Sequence, residues 1–138
     1  MPIRRPWILP LLCICGPLAA GELAAPTVAK FIHVILKGTG TKSVACADKA
    51  IAGELANLGV TVEGDSKIAW ADTDKEVAAL AKQGKLVVCG TRSLLGSGAG
   101  LAVVAEGGRP VIYLDHKAVA ASGVTLPDTI VKLSKVAP

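Results

Sequence analysis

Aromatic residues are scarce in this chain of 138 residues, which has two Trp, one Tyr and one Phe. No long run of Lys and Arg accompanies them. Proteins that bind nucleic acid generally combine a basic surface with aromatic side chains on which bases stack. The chain also lacks the Gly-x-Ser-x-Gly elbow of a serine hydrolase and the Cys-x-x-Cys pair of a dithiol redox centre. These absences argue against a nucleic-acid partner and against two common classes of enzyme.

Long hydrophobic runs are missing as well, because no segment approaches the roughly 20 apolar residues that a membrane helix needs. The N-terminal sequence instead places Arg4 and Arg5 before a short apolar run that ends in small residues. That order is typical of a secretory signal peptide. We therefore expect residues 1–21 to be a cleaved signal peptide and residues 22–138 to be an exported domain in the periplasm. An uncleaved membrane anchor is the alternative.

Removal of the signal peptide changes the charge and the cysteine count. Arg4 and Arg5 leave with it and residues 1–21 contain no acidic residue, so the formal net charge falls from +4 to +2. The basicity of the whole chain is therefore partly a property of the signal peptide and gives no support for nucleic-acid binding. The four cysteines become two, Cys46 and Cys89.

The rest of the chain alternates between helical and extended patterns. Residues 27–36 have apolar side chains at the helical spacing, and so do residues 48–59, which Asp48 begins and Gly59 ends. Short apolar runs that are typical of strands occupy residues 43–47, 60–63, 67–70 and 85–89. The pattern therefore predicts strands that are separated by helices.

The clearest helix start lies at Thr73. Thr73 and Glu76 fit a Thr-x-x-Glu capping box, in which the Thr side chain accepts a hydrogen bond from the backbone N–H of Glu76 and the Glu side chain reaches back to Thr73. We expect a helix from this box to Gly84. Both residues of the box are therefore predicted to have a structural role.

The C-terminal part predicts a hairpin and a final helix. Gly107 and Gly108 favour a two-residue turn between two strands. Pro110 cannot donate a hydrogen bond to a neighbouring strand, so its strand should begin there or lie at an edge. Residues 125–136 are expected to form a helix. Its buried side is expected to consist of Ile130, Leu133 and Val136.

The order of these elements defines the expected fold class. Strand–helix–strand units imply parallel pairing with right-handed crossovers, and the late hairpin adds antiparallel strands. We therefore expect a single-domain α/β sandwich. It should contain a mixed, mostly parallel sheet of about five strands, helices on both faces, and a C-terminal β-hairpin plus helix.

Two glycine-rich segments resemble nucleotide-binding loops only in part. "GTGTKS" (38–43) has a Thr between Gly40 and Lys42 and leads into a strand, whereas a phosphate loop leads into a helix. "GSGAG" (96–100) lacks the full dinucleotide fingerprint and also precedes a strand. We therefore expect no nucleotide cofactor.

Cys46 and Cys89 each end a predicted strand, and the carboxyl ends of parallel strands lie along one edge of a sheet. If the two strands are neighbours, a disulfide would close a loop of about 43 residues and contribute roughly 4 kcal/mol in the chain-entropy model. A structural disulfide is the first expectation for an exported domain with this pair. Two free thiols, a redox pair, or a zinc site with His33 and His116 are the alternatives.

Asp115 and His116 stand between the tyrosine-containing strand and an alanine-rich segment. Neighbouring residues of a strand point to opposite faces, which does not suit an acid–base dyad. Asp115 fits an N-cap instead, with its carboxylate accepting from the N–H of Lys117 or Ala118 and Gly123 ending the helix. We expect a structural cap and no catalytic residue; an enzyme that uses Asp115 and His116 is the alternative.

The segment "GAGLAVVAEGGRPVIYLDHKAVAASGVTLPDTIVKLSKVA" (98–137) resembles the closing part of the YfiR family of periplasmic regulators. The shared order is a Gly-rich start, an apolar strand, a turn, an aromatic-containing strand, a small helix, Gly and a Leu-rich helix. Positions that fit are Gly100, Tyr113, Gly123, Val124, Ile130 and Leu133. Asp115 stands where the family usually has Asn. Upstream, "VAKFIHVIL" (28–36) resembles the family's early helix, and Cys46 and Cys89 lie in strands where members carry cysteines.

The resemblance implies a non-enzymatic periplasmic regulator. Such a protein would bind the periplasmic sensor domain of an inner-membrane diguanylate cyclase, hold it inactive and so act in cyclic-di-GMP signalling. Oxidation or envelope stress would relieve the inhibition. A small-ligand-binding domain of an export or uptake system is the alternative function. The sequence does not decide between a monomer and a homodimer. From the residues themselves we expect no cofactor, no nucleic-acid partner and no membrane contact beyond the signal peptide.

Overall fold

One sheet of seven strands organises the structure, a computed structural model that describes residues 23–136. The expected signal peptide, residues 1–21, lies outside the described residues. The strands are β1 (Ser43–Cys46), β2 (Thr61–Val62), β3 (Ile68–Trp70), β4 (Leu86–Cys89), β5 (Leu101–Glu106), β6 (Arg109–Leu114) and β7 (Ser134–Val136). They lie in the order β2-β1-β3-β4-β5-β6-β7, and every neighbouring pair is parallel except β5 and β6, which are antiparallel.

Helices connect most of the strands. They are α1 (Ala25–Thr39), α2 (Lys49–Asn57), α3 (Asp74–Lys82), α4 (His116–Ser122), α5 (Asp128–Leu133) and a 3₁₀ helix (Arg92–Ser97). No helix within residues 23–136 is long and apolar enough to cross a membrane.

Side-chain caps begin two of these helices, and one of the caps was predicted from the sequence. Asp48 accepts a hydrogen bond from the backbone N–H of Ile51 at 3.0 Å and so begins α2. Thr73 Oγ1 accepts from the backbone N–H of Glu76 at 3.3 Å and begins α3, which confirms the predicted cap. The Glu76 carboxylate accepts a hydrogen bond from the Thr73 hydroxyl at 3.2 Å. The return contact of the capping box therefore joins the two side chains. Caps of this kind contribute about 1 kcal/mol each.

Two hydrophobic cores cover the two faces of the sheet. The large core packs α1, α2 and α5 on one face, and its fully buried members include Ile32, Ile35, Leu55, Ile68 and Leu101. The small core packs α3 and the 3₁₀ helix on the other face of β4, β5 and β6. Because successive residues of a strand alternate between faces, the uninterrupted apolar run of β4 supplies both cores. The prediction of helices on both faces is therefore confirmed.

The hairpin forms as predicted. Gly107 and Gly108 have φ angles of 59° and 78°, the left-handed values that the favoured two-residue hairpin turn requires. Pro110 is the second residue of β6, and β7 pairs with β6 only from Ile112 onward. Pro110 therefore lies at an open edge near the start of its strand, as expected from its missing N–H.

The prediction of one helix over residues 125–136 is wrong at its end. α5 stops at Leu133, and the chain then extends as β7 along β6. Ile130 is buried as predicted, but Leu133 is 71% exposed. The reason is the backbone of β6, whose outer N–H and C=O groups need hydrogen-bond partners that a strand supplies and a helix does not.

The described residues form one α/β domain with a mixed, mostly parallel sheet, which confirms the predicted fold class. The sheet has seven strands rather than about five. The difference comes partly from β7, because the helical spacing of apolar residues at the C-terminus predicted a helix where this strand forms.

Candidate functional site

The chain switches sides of the sheet between β1 and β3. α2 follows β1 and contributes to the large core, whereas α3 follows β3 and contributes to the small core. The loops after these two strands therefore diverge at the carboxyl edge of the sheet. In open α/β sheets, ligands bind in the crevice at such a point.

A crevice lies between the two loops, and we call it the switch-point crevice. Residues that line it include Ala47, Asp48, Trp70, Asp72, Thr73, Glu76 and Gly90. A cavity of about 280 Å³ lies beside the start of α3, and another of about 130 Å³ lies beside the start of α2. Pockets for drug-sized ligands usually measure roughly 300–1,000 Å³, so these volumes suit a small molecule.

Carboxylates dominate the polar groups of the crevice. Asp48 and Asp72 line both cavities, and Glu76 lines the one beside α3. The starts of α2 and α3 also face this edge, and each helix N-terminus is equivalent to roughly half a positive charge. Among the described residues that line the two cavities, none is Lys, Arg or His.

Trp70 forms a wall that both cavities share. It is only 7% exposed, and a Cβ atom placed on Gly90 would lie 3.2 Å from Cη2 and 3.6 Å from Cζ2 of its ring. The absence of a side chain at Gly90 thus allows the indole to pack against the end of β4. The indole Nε1 is buried and has no hydrogen-bond partner in the described part of the chain. A buried N–H without a partner costs about 1–3 kcal/mol.

The predicted disulfide between Cys46 and Cys89 is wrong, because both cysteines are free. The register places Cys46 opposite Trp70 and Trp70 opposite Val88, so β3 lies between the two cysteine strands. Two strand spacings amount to about 9.6 Å, whereas the Cα atoms of a disulfide lie within roughly 7 Å. Cys89 is also one residue beyond Val88 and therefore points to the opposite face of the sheet.

Both thiols lie in environments that disfavour the thiolate. Cys46 is half-buried and donates to the backbone carbonyl of Asp48 at 3.5 Å, while Cys89 is fully buried and donates to that of Thr91 at 3.2 Å. Burial raises the pKa of Cys46 and raises the pKa of Cys89 to about 11. The thiolate is the form of cysteine that acts as a nucleophile and as a metal ligand. The environments of Cys46 and Cys89 therefore favour neither a redox reaction nor zinc binding. Among residues 23–136, no group of three or more His, Cys, Asp or Glu side chains could hold a metal ion.

Asp115 is the predicted N-cap of α4. Its carboxylate accepts from the backbone N–H groups of Lys117 at 3.0 Å and Ala118 at 3.2 Å, which confirms the prediction. Its own N–H donates to the carbonyl of Gly100, which precedes β5. Asp115 and the exposed His116 therefore lie at the edge of the sheet opposite the switch-point crevice. Of the predicted site residues, Thr73 and Glu76 line that crevice, and Cys46 lines a neighbouring pocket.

A cluster around Tyr113 was not apparent from the sequence, because its members are distant along the chain. The Tyr113 hydroxyl donates to Glu106 at 2.5 Å, and this hydrogen bond raises the pKa of Tyr113. The Arg92 guanidinium lies 4.1 Å and Lys135 Nζ 5.9 Å from the centre of the tyrosine ring. Both cations also approach Glu106, at 4.0 Å and 3.8 Å. The cluster joins the 3₁₀ helix, the hairpin and β7.

The glycine-rich segments lie in structural positions. Residues 38–43 lead from the end of α1 into β1, so the arrangement of a phosphate loop is not present there. In the second segment, a Cβ atom on Gly100 would lie 2.5 Å from Cδ1 of Leu86 and 3.1 Å from Cγ2 of Val119. That glycine allows α4 to pack close to β4 and β5.

Comparisons with known proteins support the fold alone. No protein-family model matches the sequence, and no curated protein matches it. A solved structure with a similar fold is a conserved domain protein from Vibrio cholerae O1 biovar El Tor strain N16961, with a TM-score of 0.62 and 13% sequence identity. The match covers 83% of this chain and 60% of that one. This chain thus spans about three fifths of the length of the chain in that structure.

Proposed function

We propose that this protein is a periplasmic regulator that binds the periplasmic domain of an inner-membrane signalling protein, such as a diguanylate cyclase, and acts by contact without chemistry of its own. Support comes from the resemblance over residues 28–137 and from the element order, since hairpin, short helix, glycine and final helix follow each other as in that family. The role of Asp115 as a helix cap is consistent with this proposal, because its carboxylate is engaged by two backbone N–H groups.

The observation that carries the proposal is an apolar and basic surface at the last strand. We define the C-terminal surface as Val131, Lys132, Leu133, Lys135 and the outer edge of β7. Val131 is 38% and Leu133 71% exposed, and both lysines are exposed. No described strand pairs with the outer side of β7. An open strand edge beside an exposed leucine is a favourable place for a protein partner to add contacts.

The charges of this surface indicate the kind of partner. Lys132 and Lys135 flank Leu133, and Lys135 also approaches the ring of Tyr113. A partner that presents carboxylates around an apolar pocket would complement this arrangement. Such a contact would combine the apolar area of Leu133 with charge pairs at its rim, which is the usual organisation of a protein interface.

The experiment is co-purification from membranes of cells that produce the tagged full-length chain together with the cyclases of the host. We expect the wild-type protein to retain a membrane-bound cyclase and to lower cellular cyclic-di-GMP. Leu133→Glu should abolish both effects, whereas Val34→Glu, on a 48%-exposed valine of α1, should leave them unchanged. If the wild-type chain retains no cyclase and cellular cyclic-di-GMP does not change, the proposed function is refuted. If Leu133→Glu captures the cyclase as well as the wild type does, the C-terminal surface is not the binding site.

A further inference from the structure

We infer that the C-terminal surface binds an extended segment of the partner protein, which adds a strand to the sheet at the outer edge of β7 and places an acidic residue, flanked by apolar residues, beside Lys135. This inference rests on the function proposed above, because it describes how the partner is held at the same surface. The occupant is a strand of another protein rather than a second copy of this chain.

The outer edge of β7 is open in the described part of the chain. β7 is the last strand in the order of the sheet, and no described strand pairs with its outer side. An edge strand presents backbone N–H and C=O groups that a further strand can pair with. A segment that adds there gains main-chain hydrogen bonds, as in complexes that form by β-augmentation. The opposite edge, β2, has only two residues, whereas β7 has three.

The two faces beside β7 differ in character. Lys135 pairs with Tyr113, whose side chain belongs to the small core, and Ser134 pairs with Ile112, whose side chain belongs to the large core. An added strand would therefore place one residue beside Lys135 and its sequence neighbours on the opposite face. That opposite face is the one that α5 covers, and α5 ends in the exposed Leu133. An acidic residue between two apolar residues fits both faces.

The charges around Lys135 favour a carboxylate of the partner. Lys135 Nζ and the Arg92 guanidinium approach the carboxylate of Glu106, at 3.8 Å and 4.0 Å, so two cations share one acidic side chain. The side chains of these cations are 60% and 50% exposed. Ion pairs at such exposure contribute little, so Lys135 can also pair with a second carboxylate. Lys132 adds another positive charge, and Asp128 begins α5 at the end away from β7.

The same charges disfavour a second copy of the chain. Two copies that pair antiparallel about a two-fold axis at the middle of β7 would bring their Lys135 side chains directly opposite each other. Like charges at opposed positions destabilise strand pairing, and lysine on an edge strand is a common device against self-association. Lys135 therefore disfavours a basic edge and favours an acidic strand.

The test follows the binding of synthetic strand peptides by NMR, with protein purified from cells that express the full-length chain. The acidic probe is acetyl-Thr-Val-Thr-Val-Glu-Val-Thr-amide. A second peptide has Lys in place of Glu, and a third has Pro in place of the two valines beside Glu. We expect the acidic peptide to shift the backbone amide resonances of residues 133–136 in a saturable manner and to slow hydrogen exchange there. Resonances of residues 61–62 should not move.

The control peptides separate strand addition from simple charge attraction. The lysine peptide should bind at least about fivefold more weakly, because its charge has the wrong sign. The proline peptide keeps the carboxylate but lacks two N–H groups, so it should not slow hydrogen exchange in β7.

Charge reversal on the protein provides a matched comparison. Lys135→Glu should bind the acidic peptide about fivefold more weakly and the lysine peptide more tightly than the wild type does, a reversal that loss of folding would not produce. Lys49→Glu, the same reversal at the start of α2, should bind both peptides as the wild type does. Slow amide exchange in β6 checks that β7 of each variant still pairs with it.

The added strand is refuted if the acidic peptide shifts no resonance of β7, if the proline peptide protects β7 equally, or if Lys135→Glu does not reverse the preference. Self-association of the wild-type chain that Lys135→Glu alters would assign the edge to a second copy and also refute it. A bound acidic peptide without cyclase capture refutes only the identity of the partner. Capture of a cyclase equally by wild type and Lys135→Glu refutes only the added strand.

Discussion

Cys46 and Cys89 lie on opposite faces of the sheet, and β3 separates the strands that carry them. An intramolecular bridge between them would require one of the two strands to leave its place. Regulation by oxidation, which the family resemblance implies, therefore cannot use this pair within the folded domain. The two thiols also differ in access, since Cys46 is half-buried and Cys89 is fully buried.

The different burial of the two thiols predicts selective alkylation. In the native protein at pH 8, iodoacetamide should modify Cys46 slowly, because burial raises its pKa, and should leave Cys89 unmodified. Peptide mass spectrometry after digestion identifies the modified residues. In urea both cysteines should react. Recovery of a peptide pair linked through Cys46 and Cys89 from unreduced protein would show that the assignment of free thiols is wrong.

Cys89 also predicts a loss of stability at alkaline pH. Its pKa is about 11 in the folded protein, compared with 9.0 as the ordinary value, because burial favours the neutral thiol. Between these two values the unfolded chain loses the proton first, so the free energy of unfolding should fall as pH rises from 9 to 11. The contribution from this residue is about 2 kcal/mol. Urea unfolding of wild type and Cys89→Ala across this range isolates the effect: the stability difference between the two proteins should change with pH, and a constant difference would contradict the prediction.

The hydrogen bond between Tyr113 and Glu106 predicts a raised tyrosine pKa. Tyr113 is the sole tyrosine, so absorbance at 295 nm reports its titration directly. We expect its midpoint above 10.0 in the wild type and nearer to that value in Glu106→Gln, which removes the carboxylate. Glu63→Gln, an exposed change on another part of the surface, should leave the midpoint where it is. Equal midpoints in wild type and Glu106→Gln would contradict the contact.

Local signals allowed much of the fold to be predicted. The helix start at Asp48, the caps at Thr73 and Asp115 and the turn at Gly107–Gly108 depend on neighbouring residues, and all four formed as expected. The C-terminal strand did not follow from local spacing, because residues 134–136 pair with the distant β6. Tertiary hydrogen bonding outweighed helical periodicity there.

The site was harder to predict, because it depends on the order of strands in space. The disulfide expectation required β1 and β4 to be neighbours, and no local pattern fixes that relation. The same holds for Trp70, which the sequence presents only as the end of an apolar run. Its position beside Asp48 and Asp72 follows from the insertion of β3 next to β1, a long-range choice of pairing.

Asp115 offers a test that separates a helix cap from a catalytic base. Asn can accept the same hydrogen bonds from Lys117 and Ala118, so Asp115→Asn should change the free energy of unfolding by only a few tenths of a kcal/mol. Asp115→Ala removes the acceptor and should cost about 1 kcal/mol. Chemical denaturation measures both. Loss of biological function in a stably folded Asp115→Asn variant would favour the alternative in which the carboxylate takes part in chemistry.

Gly38 and Gly53 should respond in opposite ways to the same substitution. Both lie in helices, but a Cβ atom on Gly38 would overlap the ring of Pro127, whereas one on Gly53 would meet no atom within 4 Å. Gly53→Ala should stabilise the protein by roughly 0.5–1 kcal/mol, because alanine loses less conformational entropy in a helix. Gly38→Ala should destabilise it by about 1–3 kcal/mol, because the end of α1 and the rigid proline before α5 must move apart. Urea unfolding of the two variants measures both signs, and stabilisation by Gly38→Ala would mean that α1 and Pro127 are not in close contact in solution.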